Sequence, residues 1–405
     1  MTYLEIVWIG LQIIIGYNLV LPFLLFLFWK LFGKKKNSPG VKINTPGREA
    51  DYAIIVTAYE QTDSLGPAIS SLLNLRYKNY MIYVVADKCD ISSLHFEDEK
   101  VVLLRPPTTL ASNTDSHSYA IEHFQRPHER ITIIDSDNVV DSSYLEELNC
   151  LFEKGYEAVQ GIREAKNLNN AIACLDAARD IYYHFYDGKV LFELGSSATL
   201  SGSGMAFEAS LYTRFLATKK IKGAGFDKVL QAFIVGQNKR IAFTDKAVVF
   251  DEKTSRSDQL VNQRSRWINT WFKYFGFGFT ILFRGVINGS INQLLFGFIL
   301  LRPPLFLFIL LSLACMVINL GIMPSAIFVW SGAFLLFIAG FMISLFQLNA
   351  DKRIFSSLVN IPKFIMLQIA SLLKVRRANT RSVATRHYHV HELEQRDENG
   401  SGNSQ

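Results

Sequence analysis

The chain has 405 residues, 49% of them hydrophobic, and a formal net charge of +6, with a mean hydropathy of +0.17. That is more apolar material than one soluble domain needs, and it is concentrated in a few runs, which argues against a purely soluble protein. The cysteines, Cys89, Cys150, Cys174 and Cys315, lack any CxxC spacing, which argues against a disulfide framework or a zinc site. Much of the basic excess lies beside apolar runs, at 30–36 and 374–386, so anionic lipid headgroups explain it more simply than nucleic acid, and no nucleic-acid partner is expected.

Residues 6–32 form a nearly uncharged apolar run with no basic residue before it and no small-residue cleavage site ahead of Lys30, Lys34, Lys35 and Lys36. Residues 1–33 therefore read as an uncleaved transmembrane anchor. The lysines that follow it place its N-terminus outside and residues 34–290 inside. A basic linker, 34–50, carries Pro39, Gly40, Pro46 and Gly47. From there strand and helix alternate: a strand at Ala53–Ala58, a helix at 65–75, strands at 82–86 and 101–104, a helix near 118–124, and a strand at 131–134 that ends directly at Asp135. This alternation predicts an α/β domain over 51–275, with a mostly parallel sheet, helices on its faces and ligand sites at the carboxyl ends of the strands.

The aromatic segment Trp271, Phe272, Tyr274, Phe275, Phe277 and Phe279 suits a helix at headgroup level. Arg302, Pro303 and Pro304 interrupt the apolar run 294–320, so its first part is expected to be interfacial and its span to begin near Leu305; 325–346 is a clearer span. In 355–373, Ser356, Asn360, Lys363, Ser371 and Lys374 form one polar stripe. A full crossing there would carry Arg376, Arg377, Arg381 and Arg386 outside, so an interfacial or re-entrant helix is expected. Residues 276–374 are thus interfacial and transmembrane helices. Residues 375–405 are a basic and then polar tail, expected to be partly disordered.

Candidate chemistry begins with Asp135, Ser136 and Asp137: two carboxylates one residue apart at a strand end suit a hard cation such as Mg²⁺ or Mn²⁺, although aspartates also populate ordinary turns. Asp87 closes the second strand, either as a turn residue holding local backbone donors or, with Thr57, Ala58, Tyr59 and Glu60, as the wall of a nucleoside pocket. Asp227 follows a glycine-rich stretch and opens a helical pattern, as a first-turn acid or as a general base. Gln263, Arg266 and Trp267 share one helix face. Arg266 suits a diphosphate through its planar fork, and Trp267 suits a sugar ring.

In this order the motifs resemble family 2 glycosyltransferases of the GT-A fold, in particular membrane-bound cellulose, hyaluronan and poly-N-acetylglucosamine synthases. The resemblance covers roughly 50–275 and implies an inverting transfer of a hexosyl or N-acetylhexosaminyl group from a UDP-sugar donor to a growing polysaccharide, at the cytoplasmic face of the cell (inner) membrane. It implies nucleotide-sugar contacts at Thr57, Ala58, Tyr59, Glu60, Asp87, Asp135 and Arg266, and Mg²⁺ or Mn²⁺ at Asp137 and Asp135. It further implies acceptor contacts at Gly202, Ser203, Gly204, Gln263 and Trp267, with Asp227 as the catalytic base. Expected partners are the donor, a glycan or lipid-linked acceptor, the lipid bilayer, and further copies of the chain or secretion subunits. The alternatives are transfer of a single sugar to a lipid or polyprenyl acceptor, and a catalytically silent scaffold. Two positions depart from the family pattern: Phe226 stands where Glu usually precedes the base, and Ser116, His117 and Ser118 stand where a Gly-Lys pair is common.

Overall fold

The computed structural model describes residues 3–33, 48–92, 94–218, 221 and 223–375. The lysine cluster at 34–36, nearly all of the linker and the tail from Arg376 lie outside the described residues.

Eight strands form one sheet: β1 (Tyr52–Tyr59), β2 (Tyr80–Asp87), β3 (Val101–Leu104), β4 (Arg130–Asp135), β5 (Val139–Val140), β6 (Ala158–Ala165), β7 (Met205–Glu208) and β8 (Ile241–Asp251). Their order is β3-β2-β1-β4-β7-β6-β8-β5. β3, β2, β1 and β4 run parallel, β7 is antiparallel to β4 and β6, β8 is parallel to β6, and β5 is antiparallel to β8. β1 and β2 are continuous apolar runs because helices cover both of their faces. Strand order reverses between β1 and β4, the place where an open α/β sheet leaves a crevice for ligands. The register sets Tyr59 beside Asp87 and Thr57 beside Asp135, so the candidate residues of three strands end at one level.

The helices, in chain order, are α1 (Tyr3–Phe28), α2 (Leu65–Leu73), α3 (Asn113–Glu122), α4 (Tyr144–Phe152), α5 (Ala171–Tyr183), α6 (Ala209–Thr218), α7 (Phe226–Gly236), α8 (Ser257–Tyr274), α9 (Gly276–Asn288), α10 (Ile291–Leu301), α11 (Leu305–Ile322), α12 (Ala326–Gln347), α13 (Lys352–Ser357) and α14 (Ile361–Leu373). α3 begins five residues ahead of the sequence expectation because the Ser112 hydroxyl caps it, accepting from the Asp115 N–H.

Among the described residues, four helical stretches are long and apolar enough to cross a membrane: Tyr3–Gly33, Leu305–Ile322, Ala326–Gln347 and Lys352–Leu373. A 3₁₀ turn at Leu358–Asn360 divides the last of these. α10 has 11 residues, about 16 Å of helix and too short to span. It stops at Arg302, whose extended backbone is what a following proline imposes. α9 and α10 pack at backbone contact through glycines: a Cβ at Gly297 would lie 2.7 Å from the Leu282 nitrogen, and one at Gly285 2.6 Å from that of Leu294. Polar side chains interlock the spans. Gln12 Oε1 accepts from Asn319 Nδ2 at 2.5 Å and from Trp330 Nε1 at 2.8 Å, and Trp8 Nε1 donates to Asn319 Oδ1 at 2.9 Å.

α5 joins the sheet domain to these helices. It runs on through a π turn, His184–Val190, into Leu191–Glu193. The Tyr186 hydroxyl donates to the Gly340 carbonyl in α12 at 2.7 Å, and Trp29 Nε1 donates to Glu193 at 2.5 Å. Phe185 meets Trp29 edge-on at 5.7 Å, and Asp187 pairs with Arg302.

Candidate active site

A cavity of about 260 Å³ opens at the carboxyl ends of the strands. Thr57 and Tyr59 of β1 line it with Asp135, Ser136 and Asp137 at the end of β4 and Arg163 of β6. Asp251 and the following Glu252, Lys253 and Thr254 continue the wall, Asp176 and Asp180 come from α5, and Gln259, Gln263 and Trp267 come from α8.

The cavity wall contains a chain of alternating charges. Arg163 pairs with Asp251, and Lys253 Nζ lies 2.6 Å from both Asp251 and Asp180. Arg179 pairs with Asp180 and lies 3.6 Å from Asp176, which also pairs with Arg264. The guanidinium groups of Arg264 and Arg179 sit 4.0 and 4.5 Å from the centre of the Trp267 ring, within cation–π range. Burial opposes the charge on Arg163, but Asp251, with Asp135, Asp180 and Asp137 behind it, pushes its pKa up. Burial likewise works against ionised Asp180, yet Arg179, Lys253 and Arg163 hold it well below the usual carboxylate range. Asp135, Asp137, Asp176, Asp180, Asp251 and Glu252 outnumber Arg163 and Lys253 in the lining, so the cavity is acidic overall.

The cavity therefore gathers Thr57, Tyr59, Asp135, Asp137, Gln263 and Trp267 from the residues singled out in the sequence. Ala58, Glu60, Asp87, Gly202, Ser203, Gly204, Asp227 and Arg266 lie outside its lining. Asp87 is buried, and its two carboxylate oxygens accept from the backbone N–H groups of Leu110 (3.0 Å) and Ala111 (2.7 Å). The Glu60 N–H donates to the Asp87 carbonyl at 3.2 Å. Around this point Glu60, Lys88 and Ala111 all take positive φ, at 61°, 55° and 47°, a clustering of costly backbone that is common beside ligand sites. Asp227 occupies the first turn of α7, 3.4 Å from Lys228 Nζ, which in turn donates to the Leu200 carbonyl. Arg266 is one turn along α8 from Gln263, and burial lowers its pKa.

Sequence reasoning missed Arg163, Asp176, Asp180, Asp251, Glu252 and Lys253. One signal was present: Asp176, Arg179 and Asp180 stand at i, i+3 and i+4 in the otherwise apolar AIACLDAARDIYY, a charged stripe on a helix that is largely buried. The two departures from the family pattern touch one another. His117 is fully buried, its ring edge-on to Phe226 at 5.3 Å and its Nδ1 2.7 Å from the Tyr212 hydroxyl. Burial pushes its pKa down to about 3, so it is a neutral group here and supplies no charge to a diphosphate.

Among the described residues no group of three or more His, Cys, Asp or Glu side chains is arranged to hold a metal ion. Mg²⁺ commonly takes one or two carboxylates and completes its shell with phosphate oxygens and water. Asp135 and Asp137 in an acidic cavity fit a cation that is shared with a diphosphate.

The fold is similar to that of the mannosyltransferase PcManGT from Pyrobaculum calidifontis, solved with GDP-Man and Mn²⁺, with a TM-score of 0.55 at 14% identity over 90% of this chain and 99% of that one. Residues 1–349 of S. aureus TarS, solved with UDP-GlcNAc, align at a TM-score of 0.41 and 11% identity over 82% of this chain and 93% of that one. No curated protein matches the chain. The sheet order, its helices and the first of these likenesses agree on the GT-A fold. The family model described as glycosyltransferase like family 2 matches residues 49–270, more than half of the sequence, and the chain belongs to that family.

Proposed function

We propose that this protein is an inverting glycosyltransferase that moves a sugar from a UDP-sugar to a growing polysaccharide at the cytoplasmic face of the cell membrane. The observation that carries this reading is the meeting of Asp135 and Asp137 with Thr57, Tyr59, Gln263 and Trp267 in one cavity. Thr57 and Tyr59 contact the nucleoside, and Asp87 with Ala58 and Glu60 shapes the backbone around it. In this reading Arg266 serves the diphosphate, while Gln263 and Trp267, which line the cavity, receive the acceptor sugar. Asp135 and Asp137 would hold Mg²⁺ or Mn²⁺, which when bound would supply Lewis acidity toward the diphosphate. The acceptor oxygen bonds to the anomeric carbon as the bond from that carbon to the diphosphate breaks, with inversion. The proton of the acceptor hydroxyl passes to the Asp227 carboxylate.

A positioned base contributes about 10²- to 10⁴-fold. UDP release from purified membranes across a panel of UDP-sugars, with GDP-mannose included, tests the reading. Asp227→Asn is expected to lower turnover by at least ~10²-fold while leaving UDP binding, measured by calorimetry, unchanged. A second candidate base is Glu252, which lines the cavity where Asp227 does not. Normal turnover in Asp227→Asn together with loss in Glu252→Gln would move the role there.

The continuity of α5 from the cavity into the membrane helices favours one further reading, transfer of a single sugar to a polyprenyl or other lipid acceptor. A polymer on gels against a single glycolipid by mass spectrometry separates the two.

A further inference from the structure

The Ser203 hydroxyl is fully buried and has no access to the cavity, yet it grips the segment that carries the paired carboxylates. Its Oγ accepts from the Asp135 N–H at 3.1 Å and donates to Asn138 Oδ1 at 2.5 Å. Asn138, itself buried, donates its N–H to the Asp135 carbonyl at 3.0 Å. One hydroxyl thus holds both ends of the turn 135–138, using a donor and an acceptor position at once.

Ser203 is itself held firmly. Gly202 and Gly204 flank it with φ of +90° and +68°, values that favour glycine, and a Cβ on Gly204 would come within 2.9 Å of Val249 Cγ2. The Gln160 side chain, buried on β6, donates to the carbonyls of Ser203 and Gly204 at 3.1 Å each and accepts from the Ser201 N–H at 3.0 Å. The Gly204 N–H donates to the Ile133 carbonyl at 2.9 Å. Arg163 of the cavity wall donates to the Ser201 carbonyl at 2.7 Å. The turn therefore has fixed ties to β4, to β6 and to the charged wall. Two carboxylates so close in sequence repel each other, and a rigid turn is what keeps them at a set spacing before a cation is present.

We infer that Ser203 is a positioning residue: its hydroxyl sets the geometry of Asp135 and Asp137 and ties that geometry to the glycine turn at 201–204. The inference rests on the function proposed above in taking those two aspartates as cation ligands.

The test uses the whole chain in lipid nanodiscs, with Ser203→Ala, Asn138→Ala and the double variant. Amide hydrogen exchange over 131–138 is read beside Mn²⁺ affinity in the presence of UDP, with thermal unfolding as the check on folding. Ser203→Ala removes both hydrogen bonds of the hydroxyl and Asn138→Ala only the one to the far end of the turn, so exchange at Asp135 is expected to quicken most in Ser203→Ala, with a rise of roughly tenfold in the Mn²⁺ dissociation constant there and a smaller rise in Asn138→Ala. The double variant is expected to be no worse than Ser203→Ala, which already removes the contact between the two side chains. If Ser203→Ala does not fold, Asn138→Ala, which frees the hydroxyl from the far end of the turn, is read in its place, and unchanged exchange over 131–138 together with unchanged Mn²⁺ affinity in a folded Asn138→Ala overturns the assignment. A folded Ser203→Ala with unchanged exchange at Asp135, or with unchanged Mn²⁺ affinity, overturns the assignment. Failure of the unmodified protein to bind Mn²⁺ with UDP overturns the function proposed above instead.

Discussion

Asp87 illustrates how one side chain joins the two readings its sequence position allows. It is a turn residue that holds two backbone donors, and it ends β2 beside Tyr59 of β1, which lines the cavity. Asp87→Asn replaces one acceptor oxygen with a donor facing an N–H group. It is expected to lower stability by about 1–3 kcal/mol, seen as a fall in unfolding temperature, and to weaken UDP binding alongside. His117 makes a prediction in pH. Its folded pKa of about 3 lies below the ordinary histidine value of 6.5, so the unfolded chain binds the extra proton between those values. Stability is complete above pH 6.5 and falls as pH drops toward 3, with a loss of about 2 kcal/mol expected by pH 5 from this residue. His117→Gln should flatten that part of the profile of unfolding temperature against pH. The absence of a lysine at 117 was legible in the sequence. The burial of its ring against Phe226 was not, because 109 positions separate the pair and only folding brings them together.

At the scale of elements, β1, β2 and β4 were legible because strands covered on both faces are nearly unbroken apolar runs. The start of β8 was legible as the strand that follows the 226–236 helix, whereas β6 was hidden by its polar residues Gln160, Arg163 and Glu164, of which Arg163 reaches the cavity. For the same reason the Asp135–Asp137 half of the site could be read ahead of the structure, while the wall built by α5 and β8 could not. Lys253 is the joint of that wall, buried and shared by Asp180 and Asp251. Lys253→Met removes the cation they share but leaves Asp251 its Arg163 and Asp180 its Arg179, and a loss of about 1–3 kcal/mol is expected in denaturant unfolding. In the membrane-proximal hairpin of α9 and α10 the glycines act as contact surfaces. Gly297→Val pushes the helices apart and is expected to cost about 1–3 kcal/mol, read as a lower unfolding temperature in detergent.

At the scale of the molecule, the apolar runs coincide with helices long and apolar enough to cross a membrane, and the break at Arg302–Pro304 fell where the prolines require it. The segment 352–373 remains poised between crossing and lying flat: it is long and apolar enough to span, while α14 packs along α8 and Asn269 Nδ2 donates to the Val375 carbonyl at 3.2 Å. The side on which the sheet domain faces is testable with native thiols, since Cys150 is exposed while Cys89, Cys174 and Cys315 are buried. A membrane-impermeant maleimide is expected to label Cys150 in inside-out vesicles and to leave it unlabelled in intact cells; the reverse pattern would refute a cytoplasmic catalytic domain. The course of α5 also limits how the protein can be dissected. A water-soluble fragment cut after residue 275 would keep Tyr182, Phe185 and Tyr186 yet lose the helices that cover them, and it would strand Asp187 away from Arg302. Such a fragment is bound to clump, so its enzymology belongs in a bilayer, and domain swaps among relatives will succeed only when the membrane half travels with the sheet.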